Sequence, residues 1–346
     1  MDQKHPVALL GATGTVGQKF IILLQSHPWF VIEELVASPR STGKTYSQAC
    51  SWKQNHPIPP QIANKTIISA GSPLKSRILF SGMDASVAGP LEEQYAEKGH
   101  FVVSNAKNHR MDPDVPIIIP EVNPDHFEVT KHQKYKGAIV TNSNCVIMPV
   151  AMVLAPLHSA FEIEWVHIMS MQAISGAGYP GISSYDILGN VIPYIGGEED
   201  KVETESQKIL GSIMGNTIKP AEYIVSAQCN RVPVIDGHSE CLSIKFKKKP
   251  TLKDVRRILK EWKSMPQEYN LPSAPANPII VFDDDDRPQP ARDIWLESGM
   301  AACVGRIREC PIADIKMVVM GHNTVRGAAG AAILNAEAYL SLGYLD

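Results

Sequence analysis

Hydrophobic and polar positions along this chain change their period near residue 145. A short apolar run, Val7 to Leu10, stops at the glycine turn GATGTVG. In QKFIILLQSHPWF, which follows it, Phe20, Ile21, Leu23 and Leu24 fall at helical spacing, so the pattern predicts strand, turn, helix. FVIEELVAS predicts a second strand from about Val31. SRILFSG, HFVVSNA, VPIIIPEVN and GAIVTNSN predict further strands, with VAGPLEEQYAEKG a helix between the first two. Strands alternating with helices predict a mostly parallel sheet over residues 1 to about 145. VIMPVAMVLAPL then reads as a helix.

From FEIEWVHIMSMQAIS onward the apolar runs alternate and the connections lengthen. YIVSAQCNRVPV and SECLSIKFKK read as adjacent, antiparallel strands. TLKDVRRILKEWKSM is an amphipathic helix with Thr251 as its N-cap. AACVGRIREC and IKMVVMGHN predict two more strands, and VRGAAGAAILNAEAYLSLG a closing helix ended by Gly343. PQEYNLPSAPANPIIVFDD reads as a surface excursion or a subunit contact. The fold class expected is α/β in the first part, followed by a second domain of α+β type.

The chain has 346 residues, 44% hydrophobic and 20% charged, with a formal net charge of -3. That balance gives no general attraction for nucleic acid or anionic lipid, and KFKKKP reads as a solvated strand edge. The first residues do not resemble a secretory leader, and no run of apolar residues is long enough for a membrane helix. A cytoplasmic protein without nucleic-acid or membrane partners is therefore expected. The six cysteines are Cys50, Cys145, Cys229, Cys241, Cys303 and Cys310. Their wide spacing suits neither zinc nor a disulfide framework, so no metal is expected.

GATGTVG places Gly11, Gly14 and Gly17 between the first strand and the first helix. Glycines let the backbone approach a pyrophosphate, and the helix N-terminus faces its charge. A plain tight turn is the competing reading. The second strand ends in ASPRSTGK, with no carboxylate to hold ribose hydroxyls. Ser38, Arg40, Ser41 and Thr42 stand there instead and suit a 2'-phosphate, which favours NADP(H) over NAD.

Cys145 follows a predicted strand and precedes a predicted helix. A thiol near a helix N-terminus gains from the dipole when ionised. It would also lie by the crevice at the carboxyl ends of the strands, where nicotinamide belongs. A nucleophilic thiolate beside nicotinamide suggests aldehyde oxidation through a thioester. An inert core cysteine is the alternative.

Eight motifs in order carry a resemblance: GATGTVGQ, FSGMDASVAG, SNAKNHRM, TNSNC, QAISGAGYPG, GGEEDKVETESQKILG, NRVPVIDGH and GHNTVRGAA. Over nearly its whole length the chain resembles the aspartate-semialdehyde dehydrogenases, in particular their fungal and archaeal branch. The resemblance implies NADPH-dependent conversion of aspartyl-4-phosphate to aspartate-4-semialdehyde with release of inorganic phosphate, before the branches to threonine, methionine, lysine and isoleucine. It implies Cys145 as nucleophile and His238 as acid–base, giving a proton to the forming semialdehyde oxygen. It implies Arg231 on the substrate α-carboxylate, Gln172 orienting the thioester centre, Glu205 on the ammonium, and Lys208, Arg110 and Lys107 toward phosphate. The cofactor set adds Thr13, Thr15 and Val16 of the turn, Ser81, Ser175 and Gly176 of the quoted motifs, and Asn323 and Thr324. Residues 1–147, completed by a C-terminal helix from 323 to 346, should form a Rossmann-type NADP-binding domain. Residues 148–322 should form an α+β catalytic and dimerisation domain, giving a homodimer or homotetramer.

Two other readings stay open. Malonyl-CoA and succinyl-CoA reductases resemble the same sequence but need no ammonium-binding glutamate, so Glu205 and Arg231 discriminate. A non-catalytic nucleotide-sensing protein would have no need of Cys145, His238 and Arg231 together.

Overall fold

The computed structural model describes residues 4–345. Residues 1–3 and 346 of the expected domain ranges lie outside the described residues. The first sheet contains β1 (His5–Leu10), β2 (Phe30–Ala37), β3 (Ile67–Ser69), β4 (Ile78–Ser81), β5 (Phe101–Ser104) and β6 (Ala138–Thr141). Its order is β3-β2-β1-β4-β5-β6, and all pairs are parallel. β4, β5 and β6 are buried at every position, as parallel strands covered on both faces must be. The chain leaves β1 to one side and returns on the other at β4. This reversal opens a crevice beyond their carboxyl ends, the dinucleotide position of doubly wound sheets.

The second unit begins with β7 (Ile163–Gln172), continues through a short hairpin, β8 (Ser212–Met214) and β9 (Thr217–Lys219), and then β10 (Ile224–Arg231) and β11 (His238–Phe246). It closes with β12 (Ile279–Val281), β13 (Ala302–Glu309) and β14 (Ile315–Gly321). The sheet order is β10-β7-β11-β14-β13-β12. β7 alternates: Val166, Ile168, Ser170 and Gln172 point inward, while Trp165, His167, Met169 and Met171 are half-exposed on the other face. The inward face packs on the helix Ile147–Phe161, whose apolar residues share one core with Leu242, Ile244 and Val319. Each such side chain contributes about 1.5–3 kcal/mol on burial. The architecture is a Rossmann-type domain joined to a second α+β domain.

The helix Gly330–Ser341 returns to the first sheet. Tyr339 stacks on Phe101 at 3.9 Å, and Ile333, Leu334 and Ala336 join the core of β1 and β4. Thr251 accepts the Asp254 N–H and caps the helix Leu252–Glu261, as its position predicts.

Three sequence expectations are corrected. VPIIIPEVN is not a strand: one bridge, Ile117 with Thr141, ties it to the sheet. Pro116 and Pro120 have no N–H to give to a ladder, and the Asn123 amide takes the Ile119 N–H and the Ile117 carbonyl instead. β10 and β11 are not neighbours. β7 lies between them, parallel to β10 and antiparallel to β11, so the turn from 232 to 237 crosses over the end of a strand. The proline-rich excursion is also more structured than expected. It contains β12, and its Leu271 is buried in the core of the first domain.

Candidate active site

The glycine turn closes on the far side of β1. Gly11 has φ +76, and a Cβ on it would lie 2.7 Å from Gly82 O. A Cβ on Gly17 would lie 2.4 Å from Gly11 O. The two glycines therefore let β1, the helix Thr15–Leu24 and the end of β4 meet. That helix has no side-chain N-cap, so its first N–H groups remain for an anion. Thr13, Thr15 and Val16 line this turn half-buried, and Gly14 is exposed. Beyond β2, Ser38, Arg40 and Thr42 are exposed and Ser41 is half-buried. Arg40 enters no ion pair among the described residues. The glycine turn, the uncapped helix and this cationic turn fit a phosphorylated dinucleotide. Ser81 does not fit the expected set: its side chain is sealed, and its hydroxyl donates to buried Glu92 at 2.5 Å.

Cys145 is delivered by the loop between β6 and the helix Ile147–Phe161. Asn144 fixes that loop. Its N–H donates to Glu205, its Nδ2 donates to Glu198 at 2.8 Å, and its Oδ1 accepts the Val146 N–H at 2.8 Å. His238 opens β11 on the inward face of the second sheet. Its Nε2 lies 3.2 Å from Cys145 Sγ. The Ala173 N–H donates to Nδ1 at 3.0 Å, so the neutral ring carries its proton on Nε2, facing the sulfur. Burial pushes the thiol up to about 12, and Glu198 adds to the rise; Arg110, Lys201 and Arg231 oppose it. Burial likewise pushes the imidazole down to about 3, with Arg231 next in effect. Both shifts favour the uncharged forms, thiol and imidazole.

A cavity of about 430 Å³ opens beside this pair, lined by Gln172, Gly176, Tyr194, Glu198, Lys201 and Arg231. Arg231 ends β10, and its Nη1 donates to Ala173 O at 2.6 Å. Its Nε is buried without a partner among the described residues. A Cβ on Gly176 would lie 3.1 Å from both Arg231 Nη1 and His238 Cε1, so a larger residue would crowd both side chains where this loop covers them. Gly176, expected at the cofactor, therefore packs on Arg231 and His238.

The helix Glu198–Ile209 places Glu205 and Lys208, expected at the ammonium and the phosphate, away from the cavity. Glu205 is buried, paired with Arg110 Nη1 at 2.9 Å and accepting the Asn144 N–H. Lys208 is buried too, and its Nζ donates to the carbonyls of Arg110, Asp112 and Val115 at 2.6–2.7 Å. All three donors of its ammonium are used. Neither residue faces the cavity. The pair that does is Glu198 and Lys201, which contact each other. Glu-x-x-Lys occurs twice, seven residues apart, in EEDKVETESQK. Seven residues are nearly two turns, so both copies share a face, and only depth along the helix separates them. That repeat is the sequence signal for the pair that reaches the cavity.

Arg110 also donates to Asn105 O at 2.9 Å, and its Nε is left without a partner. Lys107 is exposed on the same turn. Asn323 differs from expectation in having its amide used by protein: Oδ1 accepts the Gly237 N–H and Nδ2 donates to Ser175 Oγ. Thr324 Oγ1 is buried without a partner among the described residues.

Two protein families match the chain: "Semialdehyde dehydrogenase, NAD binding domain" over residues 6–130 and "Semialdehyde dehydrogenase, dimerisation domain" over residues 154–326. The chain is 50% identical to the aspartate-semialdehyde dehydrogenase of Schizosaccharomyces pombe, over 98% of this chain and 99% of that one. It is 44% identical to the enzyme of Methanothermobacter thermautotrophicus, over 96% and 97%. Its fold superposes with a TM-score of 0.90 on the crystal structure of Candida albicans aspartate semialdehyde dehydrogenase with NADP, at 44% identity, covering 98% of this chain and 99% of that one. By length covered, identity and fold together, the chain belongs to the aspartate-semialdehyde dehydrogenase family.

Proposed function

We propose that this protein reduces L-aspartyl-4-phosphate to L-aspartate-4-semialdehyde with NADPH, through a thioester on Cys145, in amino-acid biosynthesis. The observation that carries this reading is the 3.2 Å contact of Cys145 Sγ with His238 Nε2, next to a cavity lined by a carboxylate, Glu198, and a guanidinium, Arg231. Fungal and archaeal relatives match at similar identity, and we place the chain in the branch they share. The described domains support a division at about residue 147, with the chain from 323 completing the first domain. Assembly is expected through the open face of the second sheet, as a homodimer or homotetramer in the cytoplasm.

In this reading Arg231 holds the substrate's α-carboxylate and Glu198 its ammonium, with Gln172 at the reacting carbonyl. Arg110 and Lys201 face the phosphate, with Lys107 at the entrance. Sγ bonds to the carbonyl carbon as the carbon–phosphate oxygen bond breaks. The thiol proton leaves with the phosphate, which balances the charge. His238 Nε2–H donates to the carbonyl oxygen as negative charge builds there, a stabilisation that needs no net transfer from the ring. When bound, NADPH would supply the hydride that reduces the acyl group to the aldehyde; the Sγ–carbon bond then breaks, and the released sulfur takes one proton from solvent to restore the thiol. Gly11, Thr13, Gly14, Thr15, Val16 and Gly17 would hold its pyrophosphate, with Ser38, Arg40, Ser41 and Thr42 at the 2'-phosphate.

Comparing turnover of aspartyl phosphate and semialdehyde with that of malonyl-CoA and succinyl-CoA tests the activity. Turnover of the acyl-CoAs alone would overturn it. Glu198→Gln should lower kcat/KM for aspartyl phosphate roughly tenfold or more, the scale of one charge-assisted contact. Succinyl phosphate, which lacks the ammonium, should be little affected. Glu205→Ala should instead lower the melting midpoint, because it strands the buried Arg110 charge at a cost of about 3–5 kcal/mol. The reverse pattern would return the ammonium to Glu205.

NADP should be preferred to NAD. Arg40→Ala should shift the ratio of kcat/KM values toward NAD by roughly ten- to a hundredfold. An unchanged ratio would remove Arg40 from cofactor selection.

A further inference from the structure

We propose that residues 322–329, the turn entering the C-terminal helix, are a positioning clamp holding Cys145 and His238 at reacting distance, an assignment that rests on the thiol chemistry proposed above. The clamp touches the nucleophile through Gly327 and the His238 loop through Asn323.

Val325–Ala329 winds as a π-helix. The Gly327 N–H donates to His322 O at 2.9 Å, the Ala329 N–H to Thr324 O at 3.3 Å, and the Gly330 N–H to Val325 O. Each bond spans five residues rather than four. Such turns are rare and occur mostly as single interruptions of α-helices. The local sequence gives no cause for one, since VRGAAGAAI is rich in alanine, the best former of ordinary α-helix.

Gly327 supplies the cause. It is not among the glycines with positive φ, so its backbone does not require glycine, and within a helix glycine is unfavourable relative to alanine. What it lacks is a side chain. A Cβ there would lie 2.7 Å from Cys145 Cβ and 3.1 Å from Cys145 Cα. Neither atom can yield without displacing the nucleophile. The wide turn therefore presses its bare backbone on the cysteine and restricts the directions open to Sγ.

The same turn is fixed at further points. Asn142, three residues before the nucleophile, donates from Nδ2 to Ala328 O at 2.7 Å. Arg326 and Glu121 form a two-point ion pair in which both side chains are fully buried. Asn323 accepts the Gly237 N–H at 2.9 Å, one residue before His238. Cys145 follows a strand of the first sheet and His238 opens a strand of the second. No ladder joins those strands; the helix Ile147–Phe161 packs on the second sheet but leaves the two loops beyond its reach to be fixed from the side. Residues 322–329 contact both loops and fix them.

Gly327→Ala should lower kcat on the order of ten- to a hundredfold, the scale of a displacement of about 1 Å at a reacting atom. KM for aspartyl phosphate should move less than kcat. Alkylation of Cys145 by iodoacetamide, without substrate, should change in rate alongside kcat. A role confined to folding would lower the melting midpoint and leave both rates per folded site at wild-type values, and that result would overturn the clamp. Should Gly327→Ala not fold, the other arm decides. Asn323→Ala should lower kcat. Asn323→Asp keeps an acceptor for Gly237 and an oxygen for the Ser175 hydroxyl, and should recover most of the loss. Wild-type kcat in Asn323→Ala, or no recovery in Asn323→Asp, would overturn the clamp. Cys145→Ser separates the two ideas. If it is inactive while the clamp variants behave as wild type, the clamp fails and the thiol chemistry stands; if it is active, the thiol chemistry itself fails.

Discussion

Cys145→Ser should lose turnover by at least about 10⁴-fold, within the range seen when a nucleophile is removed from a catalytic set, and should still bind NADPH with wild-type affinity. A hydroxyl at this position is a far weaker nucleophile than a thiol, and the cavity offers no strong base. His238 is held neutral with its proton already on the nitrogen facing the sulfur. Cofactor titration and phosphate-dependent oxidation of the semialdehyde, run on one preparation, decide the matter; wild-type oxidation would remove Cys145 from the mechanism. The wild-type thiol carries a companion test. Burial pushes it up to about 12, so below that value its thiolate fraction grows with pH. Alkylation of the free enzyme should therefore still be rising at about pH 9. A plateau below about pH 8 would mean that the resting cysteine is already ionised.

His238→Ala should lower kcat by roughly 10²- to 10⁴-fold, with a smaller change in KM for aspartyl phosphate than Arg231→Ala produces. Arg231→Lys should also be poor, since an ammonium cannot reproduce a two-point contact with a carboxylate. The geometry separates two roles for the histidine. If its Nε2–H stabilises charge on the carbonyl oxygen, His238→Gln keeps an N–H donor and should retain clearly more activity than His238→Ala. If the ring must take up and release a proton, glutamine is no better than alanine. The pH profile adds a sign. The ring is pushed down to about 3 by burial and by Arg231, so it stays neutral from pH 5 to 8. The wild-type kcat/KM profile should then show no histidine limb in that interval. A limb near 6.5 that flattens in His238→Ala would restore the proton-transfer role.

Much of this protein follows from local pattern. The periods of GATGTVG with its flanks, of the buried four-residue strands and of VIMPVAMVLAPL determine the strand–turn–helix units, because burial on both faces or on one stripe imprints itself on neighbouring residues. Cys145 is singled out by the same local pattern, as a thiol between a predicted strand and a predicted helix, whereas the roles expected of His238, Arg231 and Gln172 follow from the family resemblance and not from periodicity. VPIIIPEVN reads as a strand but is none, because an apolar run records burial and not hydrogen bonding; its two prolines and the Asn123 amide remove it from the ladder. Sequence order suggests a hairpin of β10 and β11, whereas β7 inserts between them. The choice between Glu205–Lys208 and Glu198–Lys201 could not be made from spacing, since two identical motifs seven residues apart occupy one helix face. Depth alone distinguishes them: one pair is sealed against Arg110 and three carbonyls, and the other reaches the cavity. Ser81 and Asn323 repeat that lesson, their polar atoms being taken by Glu92, Gly237 and Ser175. The sequence by itself determined most of the strand–turn–helix units and the reactive groups they carry, because both depend on residues close in the chain. Only the tertiary structure decided which of those groups remain free to bind, because a polar side chain is committed or available according to partners tens to hundreds of residues away.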